Sequence, residues 1–82
     1  MILIVSVEAC PECTKFKATT REDFVEYMIG VTESRRLKEL GESAMAMAAM
    51  NDLMEMPILA DLHEGEVTRV GKPEGEGGVK WL

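Results

Sequence analysis

Residues 2–7, Ile-Leu-Ile-Val-Ser-Val, are apolar almost without a break and rich in β-branched side chains. That pattern predicts a strand covered on both faces. Pro11 follows soon after and suits the first turn of a helix, where its missing N–H is not needed and its φ is already helical. A short helix is therefore expected from Pro11 to Thr19 or Thr20. Residues 24–29, Phe-Val-Glu-Tyr-Met-Ile, stand ahead of Gly30 and predict a second strand. One helix running from Pro11 to Met28 is the competing reading, and the capping-box spacing of Thr19 and Glu22 favours it.

From Thr32 the period changes. Leu37, Leu40, Ala44, Met47, Met50 and Met54 step by three and four and would share one helical face. Thr32 is expected to cap this long second helix, Gly41 to kink or divide it, and Pro57 to end it. Residues 57–62 predict a third strand, 63–66 a turn and 66–70 a fourth strand antiparallel to the third. The glycine-rich stretch 71–82 reads as an irregular, loop-like tail, with Trp81 and Leu82 docked on the core or loose.

The expected order is β-α-β-α-β-β. Its first half is a βαβ unit with parallel strands and a right-handed crossover, and its second half adds a hairpin. This describes a single α/β domain over residues 1–82: a small four-stranded mixed sheet with helices packed on it.

Composition narrows the function. The 82 residues are 46% hydrophobic and 29% charged, as in a folded globule rather than a disordered tail. Fifteen acidic against nine basic residues give a net charge of -6, which argues against nucleic acid as a partner. No apolar run approaches the roughly 20 residues of a membrane helix. The first ten residues lack the basic start of a signal peptide, and Glu8 stands where a small residue would be needed. A reducing, cytoplasmic setting is the expectation. There a close cysteine pair is more often catalytic or metal-binding than a permanent staple.

Both cysteines lie in the stretch EACPECTK, residues 8–15. A structural disulfide between Cys10 and Cys13 would close a very short loop and add little entropic stabilisation. A zinc site needs about four ligands. One chain supplies a pair and a single histidine, His63, so two chains would have to share the metal or an iron–sulfur cluster. The redox reading uses the helix that Pro11 opens. Cys10 would fall at its N-cap, where free N–H groups and the helix dipole favour a thiolate. Cys13, one turn along, could resolve a mixed disulfide. Glu12 and Glu8 work against the thiolate; Lys15 and Lys17 partly offset them.

The strand, the C-P-x-C helix start, the passage FVEYMIGVTESRRLKEL and the segment EMPILADLHEGEVTRVG together resemble a glutaredoxin, and more broadly the small redoxins of the thioredoxin fold. The likeness spans residues 1 to about 71. It implies a thioredoxin-like fold and a dithiol–disulfide oxidoreductase, with Cys10 as nucleophile and Cys13 as resolving thiol. It also implies that Pro57 is a cis-proline beside the disulfide. The Met56 backbone would pair with an extended substrate, so that Pro11, Glu12, Met56 and Pro57 shape the substrate groove. The implied partners are a disulfide-bearing substrate and an electron donor, either glutathione or a flavoprotein reductase. No bound cofactor or metal is implied. The chain departs from the family at the Gly-Gly-x-Asp segment that holds glutathione, where only Gly71 stands and aspartate is missing, and at the tryptophan that precedes the motif in ordinary thioredoxins.

Arg35 is a candidate contact for glutathione or substrate, with ordinary surface charge as the alternative. Five of the seven methionines fall in residues 43–56. Methionines fill irregular cores and also recur at adaptable surfaces, so a homodimer through this helix is an expectation alongside core packing. A redoxin-fold binding module with an incidental cysteine pair is the remaining alternative.

Overall fold

The computed structural model describes all residues, Met1–Leu82. The elements are β1 (Ile2–Ser6), α1 (Pro11–Thr19), β2 (Phe24–Met28), α2 (Arg35–Met50), β3 (Ile58–His63), β4 (Glu66–Glu74) and β5 (Gly78–Trp81). They form one five-stranded mixed sheet in the order β2-β1-β3-β4-β5. Only β1 and β2 run parallel; β1–β3, β3–β4 and β4–β5 are antiparallel.

β1 is an interior strand, lying between β2 and β3. All five of its residues are buried, because each face of the sheet carries a helix. On one face Leu3 and Val5 pack with Tyr27, Ile58, Ala60 and the α2 residues Ala44 and Ala48. On the other, Ile2, Ile4 and Leu59 pack against Phe16 of α1. The alternation of side chains along a strand sends successive β1 residues to opposite helices.

α1 and β2 are separate elements, not one helix. The hydroxyl of Thr19 turns back to the Lys15 carbonyl at 2.8 Å, and the Thr20 hydroxyl accepts the Glu22 N–H at 3.1 Å. The capping box that would have continued the helix is thus replaced by a turn into β2.

α2 starts later and stops earlier than its periodicity predicts. Thr32 does not cap it: its hydroxyl accepts the Met28 N–H at 2.8 Å, while Ser34 caps the helix by accepting the Leu37 N–H at 3.2 Å. At the other end Asp52 takes φ +58°, and the Asp52 and Leu53 N–H groups bond the Ala49 and Ala48 carbonyls. This paired closure ends the helix at Met50, well before Pro57. The buried face also differs. Gly41, Ala44 and Ala48 face the sheet, whereas Met50 and Met54 are 78% and 75% exposed. Gly41 neither kinks nor divides the helix. It lies against the Tyr27 ring, where a Cβ would collide.

The four-stranded sheet with an irregular tail is corrected to five strands. β4 continues to Glu74, and Gly75–Gly77 turns the chain into β5. The glycines that suggested looseness are turn and close-packing positions. Gly75 and Gly77 have φ +62° and +76°. Gly71 on β4 faces the Lys80 backbone and the Trp81 ring, leaving no room for a side chain. Val79 and Trp81 then alternate onto the α1 face and extend its core. No helix is long and apolar enough to cross a membrane.

Candidate functional site

Register places the cysteine motif and Pro57 together. In the antiparallel β1–β3 pair, Val5 is opposite Ile58. The loop that leaves β1 toward Cys10 and the residue that enters β3, Pro57, therefore lie at the same end of the sheet. Sequence separation hides this; the strand pairing supplies it.

The loop Val7–Ala9 delivers Cys10 to the start of α1, with Ala9 at φ +54°. Cys10 is the N-cap, in extended conformation, and Pro11 is the first helical residue. The Cys13 N–H donates to Cys10 Sγ at 3.2 Å, and the Cys10 carbonyl accepts the Thr14 N–H at 3.1 Å. A helix start orients free N–H groups and the positive end of its dipole at this sulfur. Cys10 and Cys13 form a disulfide with their Cα atoms 5.3 Å apart. Cys10 is half-buried, whereas Cys13 is 1% exposed. An attacking group from solvent meets Cys10 first.

Two clefts lie near the start of α1. One, of about 810 Å³, is bordered by Glu8, Cys10, Cys13, Lys15, Lys17 and Met28 among others. The second, of about 320 Å³, lies on the Pro57 side and is bordered by Glu12, Met56, Pro57, Lys72 and Pro73, with residues 52–55 closing it. Glu12, in the helix turn between the cysteines, borders this second cleft. The Met56–Pro57 bond is cis. Met56 takes part in no backbone hydrogen bond, which leaves its N–H and C=O free for an extended chain.

Of the residues singled out from sequence, Cys10, Pro11, Glu12, Cys13, Met56 and Pro57 therefore converge at one end of the sheet. Arg35 does not join them. It is exposed at the start of α2 and borders neither cleft. Its neighbour Arg36 is committed elsewhere, donating to the Gly65 carbonyl in the β3–β4 turn.

Three features of the site had no sequence signal. Lys72 and Pro73 reach it because β4 runs four residues beyond Val70, into the segment that reads as tail. Glu26, a strand residue, holds Lys17 at 2.9 Å and the buried Ser6 hydroxyl at 2.5 Å with the same oxygen. Burial works to raise the Glu26 carboxyl. The Ser6 hydrogen bond and the Lys17 ammonium outweigh it and hold the carboxyl below its ordinary value of 4.5. Lys17, which borders the Cys10 cleft, is thereby a clamped cation rather than a free one.

The chain matches no known family model, no curated protein and no solved structure.

Proposed function

We propose that the protein is a small dithiol–disulfide oxidoreductase working through Cys10 and Cys13, in the manner of the glutaredoxin-like redoxins it resembles. The observation that carries this reading is the asymmetry of the pair. Cys10 is accessible and capped by the N–H of a helix start, while Cys13 is buried one turn behind it.

In the reduced protein the Cys10 thiolate attacks a substrate disulfide, forming a mixed disulfide and expelling one substrate thiolate. The Cys13 thiolate then attacks Cys10 Sγ. The second substrate thiolate leaves, and the Cys10–Cys13 disulfide is formed. Two electrons pass to the substrate, and the two thiolates it releases take up protons. An external thiol or a flavin-linked dithiol returns two electrons to the pair. The free backbone of Met56 supports an extended polypeptide laid beside Pro57.

The test is reduction of insulin or of a peptide mixed disulfide by the pre-reduced protein. Turnover by the wild type and none by Cys10→Ser is the expected result. Equal rates for both would overturn the proposal. Offering glutathione with its reductase against thioredoxin reductase identifies the donor.

A further inference from the structure

We infer that the oxidoreductase site takes a cationic polypeptide, a disulfide flanked by Lys or Arg side chains, in preference to an anionic substrate such as a glutathione mixed disulfide. The inference rests on the dithiol reading above and adds a substrate class to it.

The cleft beside Pro57 has an apolar floor, from Leu53, Met56, Pro57 and Pro73, and a charged rim. The rim holds three carboxylates, Glu12, Asp52 and Glu55, against one ammonium, Lys72. These charges are not spent within the molecule. The ion pairs of the chain join Lys17 to Glu26, His63 to Glu64 and Arg69 to Asp61, and none of them involves a rim residue. All four rim residues are exposed, so an incoming chain meets them unneutralised. Glu12 carries the same sign up to the disulfide itself, being the residue between Pro11 and Cys13. The opposite cleft does not share this bias, since its lining holds one carboxylate, Glu8, against Lys15 and the already paired Lys17. A net charge of -6 adds attraction at longer range.

Charge of this kind acts on encounter and on choice of partner more than on raw affinity. A Lys or Arg side chain lying along the rim gains the three carboxylates, and its aliphatic stem covers the apolar floor. A glutathione moiety brings carboxylates to the same rim and is repelled.

The experiment compares one peptide mixed disulfide in three forms, with the cysteine flanked by Lys, Ser or Glu, alongside the glutathione mixed disulfide. The expected result is a kcat/KM about tenfold higher for the Lys form than for the Glu form at low ionic strength. The ratio should shrink severalfold in 0.5 M salt, roughly as screening over a few ångströms requires. Glu55→Gln should lower the Lys-to-Glu ratio, a readout that a change in folding alone does not move. Turnover of the Ser form with equal or reversed charge order overturns this inference and leaves the redox reading standing. No turnover of any form overturns both.

Discussion

Ser6 and Glu26 are joined across the parallel β1–β2 pair by a 2.5 Å hydrogen bond in which the buried hydroxyl donates to the carboxylate. The same oxygen takes the Lys17 ammonium at 2.9 Å, so one carboxylate ties α1, β1 and β2 together. The folded-state pKa of Glu26 lies below its ordinary 4.5. A depressed carboxylate adds stability that is complete above the unfolded value and is lost as pH falls through the folded value. Thermal unfolding of wild type and Glu26→Gln should therefore differ fully above about pH 5 and converge at lower pH. The ion pair is partly exposed, so the difference should not exceed about 1 kcal/mol. A constant difference from neutral pH down to about pH 3 would show that the Glu26 charge is not the cause.

The two cysteines should respond unequally to substitution. Cys13→Ser leaves an accessible thiol at the helix start without its resolving partner. It should accumulate a covalent mixed disulfide with a peptide substrate, visible as an added mass and removed by dithiothreitol. Cys10→Ser should accumulate none, because its remaining thiol is 1% exposed. Equal trapping by both variants would reverse the assigned roles.

Gly41 sits in the middle of α2 and presses on the Tyr27 ring. Alanine is the better helix former by about 1 kcal/mol, so propensity alone predicts stabilisation. Overpacking opposes it with about 1–3 kcal/mol. Gly41→Ala should lower the urea midpoint, and Tyr27→Leu in the same chain should recover part of the loss. A higher midpoint for Gly41→Ala alone would mean that the ring yields freely.

Gly77 is the joint between the β4–β5 turn and α1. Its φ is +76°, and a Cβ would meet the Thr19 carbonyl. Gly77→Ala should loosen the hairpin from the helix and destabilise the fold by about 1–3 kcal/mol. Trp81 is the only tryptophan and packs at the edge of the α1-side core, so its emission reports the event. A red-shifted native spectrum is expected. An unchanged spectrum and midpoint would place the hairpin's docking elsewhere.

Much of the fold was legible in local pattern. The apolar run at 2–7, the proline after Cys10 and the turn at 63–66 each have a short-range cause: β-branching, a fixed φ, a hairpin turn. The glycine-rich end reads locally as a loose tail because the same residue serves loose loops and tight packing. Gly71 is a close approach, and only its neighbours on β5 reveal that. The methionines of α2 misled in a related way. Their spacing fits one face, but the helix ends at Met50 and turns its small residues, Gly41, Ala44 and Ala48, to the sheet.

For the candidate site the division follows the range of the forces. The chain by itself determined the helix start at Cys10 and the cysteine spacing, because capping and proline geometry act within one turn. Tertiary structure decided what surrounds that turn. Pairing of Val5 with Ile58 set Pro57 beside the motif, and the extension of β4 delivered Lys72 and Pro73. Glu26 acquired a role only when β2 lay parallel to β1 and faced Ser6 and Lys17. These are contacts between distant residues, set by sheet register and by burial, and no local preference encodes them.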